Sequence, residues 1–125
     1  MEKVIGIGGI FFKSENPQKL LDWYKNYLGL PVLPDGTVAF VNNNPPFNPD
    51  YTVWSPFPEK TDYFSPSNSQ FMINFKVMNL KLMISELKEK GIQPLEDIKE
   101  FEYGKFAWIM DPEGNKIELW EPAKD

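Results

Sequence analysis

The sequence predicts an α+β fold in which two strand–helix–strand–strand–strand modules form a curled eight-stranded mixed sheet around a cleft. The first observation is an internal repeat, because Phe12-Lys13 followed by Asn16 returns at the same spacing as Phe75-Lys76 followed by Asn79. Each copy leads into an amphipathic helical stripe that ends at a glycine, and strand-like runs follow both stripes. One helix per module covers one face of its sheet, so the other faces are left to enclose a cleft.

The first half begins with a strand and a capped helix. Residues 4–12 are rich in Val, Ile and Phe and predict a buried strand, whose glycines require close packing against it. Asn16-Pro17 supplies an N-cap and a proline at the first helical position, and Gly29 supplies a left-handed stop. The apolar stripe of this helix carries Leu20, Trp23, Tyr24, Tyr27 and Leu28, and we assign its aromatic residues Trp23, Tyr24 and Tyr27 to the core.

Three short strands complete the first half. Residues 30–33 and 37–41 flank a Pro34-Asp35-Gly36 turn and predict a hairpin, and residues 51–54 predict the next strand. Proline-rich loops follow at residues 42–46 and 65–69, where they could edge a binding site.

The second half repeats this order. Residues 71–77 predict a strand, Asn79 a cap, and Gly91 the end of a helix whose apolar face carries Leu80, Met83, Ile84 and Leu87. Residues 98–103 and 105–110 predict strands, and a tight turn leads into a last strand at 116–120. We therefore expect one domain over residues 1–125, with module one at about 4–57, a linker at 58–69 and module two at about 70–122.

Composition excludes several function classes. The net charge is −5 and the charges are scattered, so the chain offers no basic surface for nucleic acid. No run approaches the roughly 20 apolar residues of a membrane span, and we expect a cytoplasmic protein without membrane contact. The sequence has no cysteine and no histidine, which rules out Ser-His-Asp and Cys-His catalysis.

The element order and three motifs resemble the vicinal oxygen chelate superfamily, which includes glyoxalase I, extradiol dioxygenases and bleomycin-resistance proteins. The motifs are Asn16-Pro17 through Leu28-Gly29-Leu30, then Phe75-Lys76-Val77, and then Gly104 through an Asp-Pro-Glu-Gly-Asn turn to Leu119. The resemblance covers essentially the whole chain. It implies the glyoxalase/bleomycin-resistance fold, a small-molecule ligand in the cleft and a homodimer.

Superfamily members typically hold a divalent metal on the concave sheet face, and the resemblance maps its ligands onto three positions. The first-strand ligand falls on Gly9, the ligand of the fifth strand on Met72, and the glutamate of the last strand on Glu118. Glycine has no side chain, and a thioether suits hard cations poorly. We therefore expect no metal or other cofactor, and a weak divalent site through Glu118 and an oxygen of Asn74 or Gln70 is the alternative.

Strand alternation independently predicts which side chains face the cleft. Ile117 and Leu119 should face the helix-covered core, which turns Glu118 to the cleft. The predicted ligand-binding residues are Phe11, Trp54, Met72, Asn74, Tyr103, Phe106, Trp108 and Glu118.

Three functions fit this pattern. The first is metal-independent binding of a small aromatic or cationic molecule, as in bleomycin-resistance proteins, with aromatic faces and Glu118 making the contacts. The second is a lyase or isomerase of glyoxalase type, in which Glu118 is catalytic, either with a weakly held metal or without metal and with Tyr103. The third is a structural or interaction module with a filled core and no ligand.

Overall fold

One mixed sheet contains strands from both halves of the chain. The computed structural model describes residues 1–47 and 50–124. Within them the elements are β1 (Val4–Ser14), α1 (Pro17–Leu28), β2 (Val38–Asn42), β3 (Asp50–Pro58), β4 (Phe71–Val77), α2 (Leu80–Glu89), β5 (Lys99–Phe101), β6 (Gly104–Met110) and β7 (Lys116–Pro122). The α+β class is therefore confirmed.

The two first strands of the repeat meet at the centre of the sheet. The strand order is β2-β3-β1-β4-β7-β6-β5, and β1 pairs antiparallel with β4. Outward from this pair, β3 is parallel to β1 and β7 is parallel to β4. The next strands are antiparallel to these, with β2 beside β3 and β6 beside β7. The two halves of the chain thus lie side by side in one sheet.

The predicted hairpin at residues 30–41 keeps only its second strand. The described residues form seven strands rather than eight, because the segment before the turn contributes a single bridge between Val32 and Val38. Pro31 and Pro34 flank that bridge and have no amide hydrogen to donate to a ladder. The turn itself forms, and the Leu33 amide donates to the Thr37 carbonyl at 2.8 Å.

Both helices begin at the predicted caps. The Asn16 side chain accepts from the Lys19 amide at 3.1 Å, and the Asn79 side chain accepts from the Leu82 amide at 3.0 Å. Gly29 ends α1 in the left-handed conformation with φ of 66°. Within residues 1–47 and 50–124, neither helix is long and apolar enough to cross a membrane.

The helices differ in how they pack. The α2 face of the sheet holds an apolar cluster of Val77, Leu80, Met83, Ile84, Ala107 and Leu119. None of the described residues of α1 is buried, and Trp23 and Tyr27 are 50% and 73% exposed. The assignment of their side chains to the core was therefore wrong. Helix α1 rests on the sheet through Tyr24, whose ring centroid lies 4.6 Å from that of Trp54.

The opposite face of the sheet carries the second core cluster. Its buried members are Phe11, Phe64, Met72, Phe106, Trp108 and Trp120. Along β7, Ile117 and Leu119 pack on the α2 side, and Trp120 belongs to the opposite cluster. This alternation was predicted, and it turns Glu118 toward the face that α2 does not cover.

Candidate functional site: a buried carboxylate in an aromatic cleft

A cavity of about 770 Å³ opens on the sheet face opposite α2. We call this cavity the cleft. The loop that joins β3 to β4 (residues 59–70) contributes part of the lining, and we call it the strap. The lining residues are Gly8, Phe11, Val53, Asp62, Tyr63, Ser65, Asn74, Glu96, Lys99, Phe101, Tyr103, Phe106, Trp108, Lys116, Glu118 and Trp120.

Glu118 is the polar centre of the cleft. Its side chain is buried, with the residue 2% exposed, and three donors converge on the carboxylate. The Asn74 amide donates to Oε1 at 2.6 Å, the Trp108 indole N–H donates to Oε2 at 2.8 Å, and the Tyr63 hydroxyl also donates to Oε2. Sheet register explains two of these contacts, because Asn74 and Trp108 lie directly opposite Glu118 on β4 and β6.

Tyr63 reaches Glu118 from the strap. Its ring stacks on Phe57 with centroids 5.5 Å apart and an interplanar angle of 9°. Burial, followed by the charge and hydrogen bond of Glu118, raises the pKa of the Tyr63 hydroxyl far above its ordinary value. The hydroxyl therefore stays protonated and acts as a donor. Phe64, which is fully buried, and Lys116, whose ammonium donates to the Tyr63 carbonyl at 2.8 Å, hold the strap in place.

Glycine in β1 makes room for the Asn74 amide. The pairing of β1 with β4 shifts register between Ile7 and Gly9, and Gly8 lines the cleft there. A Cβ atom on Gly8 would lie 2.2 Å from Asn74 Oδ1 and 2.8 Å from the Trp120 ring. The amide thus occupies the space into which a side chain of this strand would project. Asn74 Oδ1 is buried there without a hydrogen-bond partner among the described residues.

A buried ion pair crosses β1 beside this glycine. Lys76 Nζ lies 2.6 Å from Asp50 Oδ1, and the two side chains are only 5% and 2% exposed. Lys76 Cγ would lie 3.1 Å from a Cβ on Gly8, so the lysine passes over the backbone of β1 on its way from β4 to β3. The pair joins β4 to β3 across β1, and it thus links the two halves of the sheet.

The mouth of the cleft carries paired charges. The ammonium groups of Lys99 and Lys116 lie 5.9 and 5.7 Å from the centroid of the Trp108 ring. Lys99 also pairs with Glu96 at 3.1 Å. Burial lowers the pKa of the Lys116 ammonium below its ordinary value.

Comparison with known proteins identifies the fold. The sequence matches no protein-family model and no curated protein. Among solved structures, a methylmalonyl-CoA epimerase in complex with methylmalonyl-CoA and NH4+ aligns over 97% of this chain and 96% of its own, with a TM-score of 0.72 and 12% identity. The Mycobacterium tuberculosis methylmalonyl-CoA epimerase aligns over 96% and 89%, with a TM-score of 0.62 and 17% identity.

A third solved structure connects this likeness to the sequence motifs. A glyoxalase/bleomycin resistance protein/dioxygenase superfamily member from Vibrio splendidus 12B01 aligns over 97% of this chain and 99% of its own, with a TM-score of 0.57 and 13% identity. The chain has the glyoxalase/bleomycin-resistance fold. The fold of the vicinal oxygen chelate superfamily, which the motifs implied, is thus confirmed. At these identities the likeness establishes the architecture alone.

A divalent metal is typical of the superfamily that the motifs resemble, and the residues of this cleft do not fit one. No group of three His, Cys, Asp or Glu side chains comes together within residues 1–47 and 50–124. Both oxygens of Glu118 accept hydrogen bonds from protein N–H or O–H groups. These donors point hydrogens, not lone pairs, at the place beside the carboxylate where a cation would bind. Met72 is fully buried in the core cluster, and the Asn74 amide fills the space beside Gly8.

Six predicted site residues line the cleft, and two do not. The six are Phe11, Asn74, Tyr103, Phe106, Trp108 and Glu118. Trp54 lies on the opposite face, where its ring contacts Tyr24 and Phe12, because β3 turns alternate side chains outward. Met72 shares the cleft side of β4 with Asn74 and lies packed beneath the lining. Neither Trp54 nor Met72 is therefore among the residues that line the cleft.

The sequence reasoning missed Tyr63. Tyr63 lies in the linker, just before the loop at residues 65–69 that was expected to edge a binding site. An irregular segment has no periodicity from which to infer the direction of a side chain. Tyr103, which the sequence suggested as the partner of Glu118, is 60% exposed at the mouth of the cleft. Its ring stacks on Phe101 with centroids 5.4 Å apart. Tyr63 therefore replaces Tyr103 as the tyrosine beside Glu118.

Proposed function

We propose that the chain binds a small, flat, mainly apolar molecule in the cleft without a metal. The observation that carries this proposal is a cavity with aromatic walls and one buried carboxylate at its floor. Its volume of about 770 Å³ falls within the usual size of small-molecule sites. A cavity of this size favours ligand binding over a structural module with a filled core.

One wall of the cleft is a row of three stacked aromatic rings. Phe106 is nearly parallel to Trp120, with centroids 5.8 Å apart and an angle of 7°, and to Trp108, with 6.3 Å and 18°. These three rings on β6 and β7 pack against one another and line the cleft, so they provide an aromatic wall that an apolar ligand can contact. Aromatic stacking and burial are therefore expected to supply most of the affinity.

A cationic group on the ligand would have a smaller role. A carboxylate has about four acceptor sites, and the three donors on Glu118 leave about one of them free. Asp62 and Glu96 at the mouth are offset by Lys99 and Lys116. We therefore expect neutral planar molecules to bind at least as well as cationic analogues of the same size.

Equilibrium dialysis and thermal unfolding with matched neutral and cationic planar aromatics test this proposal. A ligand at 100 times its dissociation constant should stabilise the protein by about 2.7 kcal/mol. Phe106→Leu should weaken binding about tenfold, the equivalent of about 1.4 kcal/mol, because it removes the middle ring of the wall. Phe71→Leu is the matched control, since Phe71 is exposed and outside the cleft lining.

Binding that is absent throughout the set, or equal losses for the two variants, would contradict the proposal. A clear preference for the cationic analogues would change the proposed ligand from a neutral molecule to a cationic one that binds at Glu118.

A second candidate is a metal-free isomerase in which Glu118 moves a proton. The observation that favours it is the pairing of a protonated Tyr63 hydroxyl with the Glu118 carboxylate inside the cleft. Two of the structurally similar proteins described above are methylmalonyl-CoA epimerases. Methylmalonyl-CoA incubated with the protein in D2O should then exchange its α-proton, and Glu118→Gln should abolish the exchange while Glu113→Gln leaves it unchanged. Exchange at the buffer rate would remove this candidate.

The homodimer and the cytoplasmic location stay predictions. Sedimentation equilibrium of the purified chain tests the first, with a mass of twice 14.5 kDa as the expected result. A monomer at micromolar concentration would contradict it.

A further inference from the structure

Tyr63 is the one of the three donors to Glu118 that a loop carries. Asn74 and Trp108 are fixed on β4 and β6 by their pairing with β7, and both residues are buried. Tyr63 lies on the strap and is 37% exposed. Its side chain can therefore leave Glu118 by rotation without disturbing the sheet, whereas the other two donors cannot.

The phenol ring of Tyr63 sits in the cleft as a bound aromatic molecule would. It lies flat on Phe57, meets Trp108 edge-on at 6.5 Å and 86°, and has the Lys116 ammonium 5.4 Å from its centroid. The hydroxyl makes the polar contact of the ring, with Glu118. The Tyr63 side chain thus indicates which kind of group fits at this end of the cleft. It is a flat ring with a hydrogen-bond donor at its edge.

We propose that Tyr63 occupies the polar subsite of the cleft in place of the ligand, and that the ligand is a flat aromatic molecule whose own O–H or N–H group replaces the Tyr63 hydroxyl on Glu118. This inference rests on the proposed binding function and specifies its ligand class. A ligand without a hydrogen-bond donor would leave the hydrogen bond between Tyr63 and Glu118 in place and would bind through stacking alone. A ligand with a donor exchanges one charge-assisted hydrogen bond for another and gains access to the floor of the cleft.

Equilibrium dialysis with 2-naphthol and 2-methoxynaphthalene tests this inference, because the two molecules share a ring system and differ in the donor. The wild-type protein should bind 2-naphthol about tenfold more tightly, the equivalent of about 1.4 kcal/mol. Tyr63→Phe removes the competing hydroxyl and keeps the ring, so it should tighten 2-naphthol several-fold further and leave the ether unchanged. Tyr27→Phe is the matched control, because Tyr27 is 73% exposed on α1.

Glu118→Gln provides the complementary result. It should reduce the preference for 2-naphthol to about twofold or less, since a neutral amide replaces the charged acceptor. If this variant fails to fold, the comparison of wild type with Tyr63→Phe still decides, because Tyr63→Phe deletes a single hydroxyl oxygen.

Two outcomes would overturn the inference while leaving aromatic binding intact. One is equal affinity of the wild type for the two naphthalenes. The other is a loss of 2-naphthol affinity in Tyr63→Phe, which would make Tyr63 a fixed wall of the site. Absence of binding by both compounds to the wild type would count against the proposed function as well.

Discussion

The two halves of the chain begin with the same sequence pattern and use it differently. Helix α2 buries Leu80, Met83 and Ile84, whereas none of the described residues of α1 is buried. The polar residues on the floor of the cleft, Asn74 and Glu118, come from the second half, and the first half contributes the backbone of Gly8 and the apolar side chains of Phe11 and Val53. The shared sequence pattern thus gives both halves the same helices, strands and caps. The buried helix contacts and the polar residues of the cleft are nevertheless concentrated in the second half.

The repeated lysines give the sharpest form of this comparison. Lys76 is buried against Asp50, whereas its counterpart Lys13 is half-buried with its ammonium 5.8 Å from the Phe64 ring. Lys76→Met should lower the free energy of unfolding by about 3–5 kcal/mol, because it leaves the buried Asp50 carboxylate without its lysine. Lys13→Met should change it by about 0.5 kcal/mol or less. Urea unfolding of the two variants measures both.

Replacing both members of the pair separates charge from packing. Lys76→Met combined with Asp50→Leu should recover most of the loss, since well-packed apolar residues can replace a buried ion pair. Equal losses in the two single lysine variants would show that the halves do not differ in this respect.

The helices provide the second test. Met83→Ala should cost about 2–5 kcal/mol, because Met83 is 8% exposed in the cluster under α2. Leu20→Ala, at the matching position of α1, should cost about half of that or less, since the side chain is partly exposed. Chemical denaturation checks both values. A larger loss for Leu20→Ala would mean that α1 is buried in solution, which a second copy of the chain would explain.

Much of the fold could be predicted because its signals are local. Asn16, Asn79 and Gly29 fix helix ends through hydrogen bonds and backbone conformation within a few residues, and strand alternation placed Glu118. The eighth strand was predicted wrongly, because the apolar run at residues 30–33 resembles a strand unless Pro31 within it and Pro34 directly after it are taken into account. The exposure of Trp23 depends on what the helix packs against, which periodicity does not report.

The candidate site was predictable only in part. Alternation placed Phe11, Asn74 and Trp108 on the cleft side, since a strand has two faces to choose between. The contact of Tyr63 with Glu118 depends on the path of the strap, and the proximity of Gly8 to Asn74 depends on a local shift of strand register. Both are properties of backbone geometry that residue type does not determine.

Gly8 provides the third test of the difference between the halves. Gly8→Ala should cost about 1–3 kcal/mol, because the added Cβ would lie 2.2 Å from Asn74 Oδ1. It should also weaken ligand binding by displacing the amide from Glu118. Gly6→Ala is the matched control, since a Cβ there meets no described atom within 4 Å. Thermal unfolding and dialysis of the two variants check these effects, and indistinguishable variants would show that the cleft has room beside β1.

The smallest expected effect is a change in the pH dependence of stability that reports on the strap. The pKa of Tyr63 is raised from an ordinary value of 10.0, mainly by burial and then by Glu118. Above pH 10.0 the unfolded chain therefore loses a proton that the folded chain keeps, and the free energy of unfolding falls as pH rises. Tyr63→Phe should flatten this alkaline decline and leave the profile below that pH unchanged, and Tyr27→Phe, at an exposed position of α1, is the matched control. Urea unfolding between pH 8 and 11 makes the measurement. Identical slopes for the two variants would show that Tyr63 is already free of Glu118 in solution, and the strap would then belong with the weakly packed first half of the molecule.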